Sequence, residues 1–352
     1  MLVSAIGHKP HRITLTQPMV LPTEYERWLK VIANLRVDRK GGIAPHKPLL
    51  LLVIAELAEQ GMLSAPILPL TGELTFRFTA YWTIVAARRS QRPDIRLPFF
   101  YLGSDSCWTP LDPDGKPTLE RRRAVATRFD EGFLACLSDE DFRVQMRRVL
   151  IAKYFTDSAE RVALYNLVGL RVPPDEIVKA DAQLYEAARE CGREARFRLT
   201  VVPAYNYTCA LTGYRLITVD AGSIVDAAHI HQFADSRNNH PQNGIALCKN
   251  AHWMFDQGLW SLTDDYRVIV ATSRFHESGT DTLLLGRMAG RRVLVPSNRH
   301  YWPDRTHLAW HRKHKFRQVS NEDLVAGMGR GENPRLGMAQ DISVLPTTGR
   351  KP

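Results

Sequence analysis

The series Asp226-Ala-Ala-His229-Ile, Asn243 and His252 constrains the fold more than any other feature, because its spacing marks one folded unit rather than scattered polar residues. Apolar Ile224 and Val225 lead into it and polar residues leave it, so Ile224 to Ile230 reads as a strand ending in a loop. Side chains alternate along a strand, which sets Asp226 and Ala228 on one face and His229 on the other. His252 then returns from a short helix that Gly258 closes.

A carboxylate and an imidazole on separate faces can do separate jobs. Asp226 is a hard oxygen ligand suited to Mg²⁺ or Mn²⁺, and His252 completes that metal site. His229, with an ordinary pKa of about 6.5, suits proton abstraction from water at neutral pH. Together they imply metal-dependent hydrolysis of a phosphodiester. Asp256 lies one turn after His252 on the same helical face, where it is either a further ligand or a hydrogen-bonding residue of the fold.

The formal net charge of +10 favours a polyanionic partner, with double-stranded DNA the first expectation. No N-terminal segment joins a charged start to a long apolar run, so a cytoplasmic chain is expected. Leu49 to Ala58 is apolar but short and carries Glu56, which suits a buried helix and not a membrane span. Five widely spaced cysteines, Cys107, Cys136, Cys191, Cys209 and Cys248, argue against a disulfide framework.

Along the chain, 1–17 lacks periodicity and is expected as a flexible arm, and 321–352 as a disordered tail. Tyr25, Trp28, Leu29, Ile32 and Leu35 form a helical stripe running toward Gly41-Gly42, Pro48 opens a helix over Leu49 to Glu59, and Phe76 to Ala87 is a third. Leu97 to Leu102 and Ser106 to Leu111 read as a hairpin, and Phe133 to Tyr154 as one closing helix. Asp175 caps a connecting helix over Ile177 to Arg198, and Leu259 to Leu262 with Arg267 to Ala271 forms a second hairpin. The expected architecture is α+β, with an N-terminal DNA-recognition domain at 18–165, a connecting helix at 166–200 and a nuclease domain at 201–320.

Cys209-Ala-Leu-Thr-Gly213, Asp226-Ala-Ala-His-Ile230, Asn243-Gly-Ile-Ala-Leu-Cys248 and His252-Trp-Met-Phe-Asp-Gln-Gly258 resemble the HNH, or ββα-metal, endonucleases, in particular the McrA-like restriction branch. The resemblance implies His229 as general base, Asn243 as the residue that orients the base-bearing loop, and Asp226 with His252 as holders of one Mg²⁺-like ion. In many relatives the metal-binding acid directly precedes the base, whereas Ala228 stands there in this chain. Relatives with a structural zinc use two Cys-x-x-Cys pairs, but here Thr212 and Ala251 occupy the second positions, so Cys209 and Cys248 are expected as core residues without zinc. The basic and aromatic segment from Arg291 to Arg317 either tracks DNA phosphates or packs its aromatics on the nuclease core.

Ala44-Pro-His-Lys-Pro-Leu-Leu-Leu-Leu52 and Leu97-Pro-Phe-Phe-Tyr-Leu102, ending near Trp108, resemble the N-terminal module of restriction endonucleases that includes the sulfur-binding domains for phosphorothioate DNA. By position that resemblance implies His46, Lys47 and Pro98 as DNA-binding residues, although Leu97 and Tyr101 depart from the pattern. The expectation is a restriction enzyme cleaving modified DNA, natural as a homodimer. The alternatives are an HNH enzyme reading unmodified or methylated sequence and a non-catalytic DNA-binding protein.

Overall fold

The computed structural model describes residues 22–316 apart from Ser64, Ala180 and 281–283, so the expected arm and tail lie outside the described residues. The first part of the chain is helical around one buried rod. α1 (Pro22–Ala33) precedes α2 (His46–Glu59), whose residues from Leu49 to Ala55 are fully buried. A helix apolar on every side needs neighbours on every side. α3 (Gly72–Val85), α4 (Arg96–Tyr101), α5 (Glu131–Ser138) and α6 (Glu140–Tyr154) supply them. Strands β1 (Ile67–Pro69), β2 (Trp108–Leu111) and β3 (Ala126–Phe129) form an antiparallel sheet in the order β1-β3-β2.

Three expected elements are corrected. Leu97 to Leu102 is helical: Asp94 Oδ1 accepts from Arg96 N at 2.9 Å, and Pro98 falls in the first turn, where a missing N–H costs nothing. Trp108 Nε1 then donates to the Phe99 carbonyl at 2.8 Å, and only the second half of the expected hairpin is a strand. Phe133 to Tyr154 is broken at Asp139, which leaves the helical region and caps α6 by accepting from Phe142 N at 2.8 Å. The first helix stops at Ala33, well before Gly41-Gly42.

α7 (Ser158–Leu167) and α8 (Pro174–Lys179) lead into α9 (Ala182–Ala204), so the expected single helix over Ile177 to Arg198 is two. Asp175 sits inside the first turn of α8, and Asp181 caps α9 by accepting from Gln183 N at 2.9 Å. α9 packs on α3 and α7 as well as on the strands that follow, so it is shared by both halves of the molecule. Its tightest contact is at Gly192, where a Cβ would stand 2.1 Å from the Ala163 carbonyl oxygen of α7.

The remaining elements are short. β4 (Ile217–Thr218) pairs with β5 (Gly222–Ser223), and β6 (Val225–His229) with β7 (Gly244–Cys248). The turn between β6 and β7 contains α10 (Phe233–Ser236), and α11 (Lys249–Asp256) follows β7 directly. β8 (Trp260–Leu262) and β9 (Val268–Val270) form the second expected hairpin, and α12 (Arg305–His314) covers it. The apolar core runs continuously from Trp28 through α9 to Leu308. Among the described residues no helix is long and apolar enough to cross a membrane.

Gly192→Ala should force α7 and α9 apart and destabilise the protein by about 2 kcal/mol, as overpacking in a close-packed interior does. Chemical denaturation followed by circular dichroism measures this, and an unchanged midpoint would show that the helices separate without cost.

Candidate active site

The β6–β7 pair sets Asp226 opposite Leu247 and His229 opposite Gly244. That glycine opens room for α9: a Cβ on Gly244 would lie 2.5 Å from Val201 Cγ2 and 2.8 Å from Phe197 Cζ. Phe197 can therefore stack on the His229 ring, with centroids 4.1 Å apart and planes 8° from parallel, while Phe233 of α10 leans on it at 5.6 Å.

Asn243, fully buried, holds the loop behind the histidine. Its Oδ1 accepts from His231 N at 2.8 Å, and its Nδ2 donates to the carbonyls of His231 at 2.9 Å and Asn238 at 3.0 Å. The loop so closed delivers Asn239, whose Oδ1 lies 2.7 Å from His229 Nε2 and accepts its proton. His229 Nδ1 is then left without hydrogen. Burial pushes the imidazole below its ordinary range, opposed by the Asn239 bond.

A cavity of about 430 Å³ opens beside this ring, lined by Asp226, His229, His252 and Asp256 together with Glu194 and Arg198 of α9. His252 Nε2 and Asp256 Oδ2 stand 3.4 Å apart, one turn from each other on α11. Burial raises the Asp256 carboxyl, with His252 and Lys315 pulling it down. Asp226 is differently placed: Arg198 Nε approaches its Oδ1 to 2.9 Å, and the guanidinium lies over the Phe76 ring at 5.1 Å. Among the described residues no three His, Cys, Asp or Glu side chains form a metal-holding cluster. His252 and Asp256 nevertheless fit a divalent ion as a two-donor pair, since a half-exposed carboxylate oxygen and an imidazole nitrogen one helical turn apart are both open to one cation.

Residues 209–263 match the family model described as HNH endonuclease. This segment is an HNH endonuclease domain. No curated protein matches the chain. Among solved structures, the chain is similar to a modification dependent TagI restriction endonuclease, at 23% identity over 34% of this chain and 37% of that one, with a TM-score of 0.26. It is also similar to the sulfur binding domain of SprMcrA complexed with phosphorothioated DNA, at 22% identity over 43% of this chain and 96% of that one, with a TM-score of 0.33. The chain thus spans 37% of the length of the first of these.

Within the HNH domain, Cys209 and Cys248 meet: the Cys248 thiol hydrogen-bonds to Cys209, with Thr212 beside them, and this bond holds the Cys209 thiol well below its ordinary range. α12 braces the domain from behind. His311 stacks on Phe255 of α11 at 3.8 Å, accepts from Ser261 Oγ at 2.8 Å and donates toward the Phe255 carbonyl at 3.3 Å. Trp310 stacks on His231 at 3.9 Å, so these two aromatic rings of the basic segment pack on the domain, while Lys313 stays exposed.

His46, Lys47 and Pro98 come together around a second cavity of about 460 Å³, which Arg36, Gln91 and Tyr101 also line and His229 does not. His46 Nε2 donates to the Arg92 carbonyl at 3.1 Å and its ring lies 4.6 Å from Trp82; burial lowers its pKa. Lys47 is paired with Asp105 and lies 3.3 Å from Ser104 Oγ, so its charge is already met.

Sequence reasoning did not find Phe197, Arg198, Asn239 or Asp105. Glu194 and Arg198 stand one turn apart, a spacing that marks a shared helical face, but nothing in the charge pattern of α9 says that this face reaches the HNH domain.

Burial pushes His311 down to about 4. Between that value and 6.5 the unfolded chain binds a proton that the folded chain refuses, so stability falls as pH drops through this window, by about 3 kcal/mol at most. Comparing denaturation midpoints of the wild type and His311→Gln from pH 7 to pH 4 measures it. Parallel pH dependences in the two proteins would remove His311 as the cause.

Proposed function

We propose that the chain is a divalent-metal-dependent DNA endonuclease of the restriction type, with His229 as general base. The observation that carries it is the His229 setting inside the HNH domain. Asn239 holds Nε2–H, Phe197 fixes the ring plane, and bare Nδ1 belongs to a ring lining the cavity shared with His252 and Asp256. A ring neutral at pH 7 accepts the proton of a water as that water's oxygen bonds to phosphorus and the bond from phosphorus to the 3′ oxygen breaks. His252 and Asp256 are the residues that would hold the ion, Mg²⁺ or Mn²⁺. When bound, such an ion neutralises charge on the phosphate and the departing oxygen. Asp226 acts instead through Arg198, whose guanidinium it keeps at the edge of the cavity.

Plasmid cleavage with Mg²⁺ tests this. His229→Ala should lose a factor of about 10² to 10⁴. In the wild type kcat/KM should fall with acid through an apparent pKa below 6.5, because burial keeps the imidazole neutral until the solution is more acidic. Asp256→Asn should raise the Mg²⁺ concentration for half-maximal rate more than Asp226→Asn does. Full activity in a contamination-free His229→Ala preparation would remove His229 as the base, and no cleavage by the wild type with either ion would leave a DNA-binding protein.

The N-terminal cavity supports a reader of modified DNA. Val37, Leu97 and Pro98 give it an apolar wall beside His46, while Asp105 answers Lys47 and leaves Arg36 as the cation facing a phosphate there. Sulfur is larger and less strongly hydrated than oxygen, and a wall of this kind favours it. The full chain carrying His229→Ala should therefore bind a phosphorothioate duplex more tightly than matched plain and methylated duplexes in a gel shift. Equal affinity for all three would sink the modification-dependent reading in favour of an unmodified sequence.

A further inference from the structure

Phe197 lines a second hollow besides the catalytic cavity, a groove of about 910 Å³ that the hydrolysis described above does not use. α9 is the wall between the two. Glu194 and Arg198, one turn apart, face the catalytic side, while Arg193, Arg196 and Thr200 line the groove. The opposite wall comes from the loop after β6, with Arg237 and His240, and from His300 and Tyr301 ahead of α12. Three arginines and two histidines line this groove, and no carboxylate does.

The charges are poorly compensated. Arg237 pairs with Glu190 at 2.7 Å; Arg193 and Arg196 are exposed and make no ion pair among the described residues, the Arg196 guanidinium lying against Gly169 and lining also the cavity that holds Glu56 and Glu59. Two like charges three residues apart on a helix repel each other, so their retention on one groove wall fits an anion that is absent from the free chain. The groove also abuts the catalytic base: Asn239, which holds His229 Nε2, lines it, and so does the Phe197 ring stacked on His229.

We propose that this groove holds the phosphodiester backbone of the DNA strand next to the scissile phosphate, with Arg193 and Arg196 each meeting one phosphate. The proposal rests on the nuclease reading above. A polyanion one or two nucleotides from the cleaved bond would thread past Phe197, so that one helix aligns the strand and fixes the base.

The test is equilibrium binding of a plain DNA duplex to the full chain carrying His229→Ala, by fluorescence anisotropy over a salt series. Adding Arg193→Ala and Arg196→Ala should weaken binding at least about tenfold and lower the slope of log K against log salt by about 2, near 0.9 for each phosphate lost. Arg193→Lys with Arg196→Lys should keep the slope, because the charge remains. Removing the same charge elsewhere, by Arg148→Ala with Lys153→Ala on α6, should also keep it. An unchanged affinity and slope in the alanine pair, or an equal loss in the α6 control, would overturn the groove. Cleavage separates the two ideas: a chain that needs His229 to cut DNA but binds equally well without both arginines loses the groove alone. A chain that cuts without His229 yet loses slope with the arginines loses the catalytic assignment alone.

Discussion

The close contact between α7 and α9 at Gly192 is the constraint from which the active centre follows. A carbonyl oxygen occupies the space where any other residue would place its Cβ, so α9 lies deeper against the helical half than two ordinary helices can. From that position the next turns of α9 reach the HNH hairpin, where Gly244 again supplies the missing volume. Phe197 lands flat on His229 and Arg198 lands on Asp226. Two glycines on different elements thus fix one helix, and that helix fixes a ring and a charge outside the HNH segment.

Two of the three carboxylates lining the candidate catalytic cavity, Asp226 and Asp256, show how such packing sorts residues that look alike in sequence. Asp226 lies closer to His229 along the chain and has strand parity in its favour, yet its charge is balanced by a guanidinium from α9. Asp256, which helical spacing marks only as a neighbour of His252, keeps its carboxyl half-exposed beside that imidazole and has no arginine ion pair among the described residues. A cation entering the cavity would have to displace Arg198 to reach the first but would meet an open carboxylate at the second.

Much of the HNH unit was legible because its information is local. The strand over Ile224 to Ile230, the short helix bearing His252 and the hairpin after Gly258 each follow from period, turn chemistry and adjacent residues. The N-terminal half was less legible because short apolar runs do not tell helix from strand. Leu97 to Leu102 has the composition of a strand, and only the Asp94 contact and the place of Pro98 in a first turn make it a helix. Aspartates decide several boundaries in the same way: Asp139 splits one periodic stretch in two, and Asp181 starts α9 where charge alternation ran on without a break. Phe197 and Arg198 stayed hidden for a different reason, since a contact between distant segments leaves no periodic mark on either.

The position of α9 also bears on how the two cavities sit within one chain. The helix packs on α3 and α7 of the helical half and on β6 and β7 of the HNH domain within one continuous core. α3 in turn carries Trp82, which lies against His46 at the N-terminal cavity, and Phe76, which lies beneath Arg198. One helix therefore touches a residue of each site, and a shift of α3 along its axis would move both the His46 wall and the ring under the guanidinium. The two cavities are thus joined through α3 and α9, two helices packed on each other, and the close approaches at Gly192 and Gly244 are what seat α9 between α7 and the HNH hairpin.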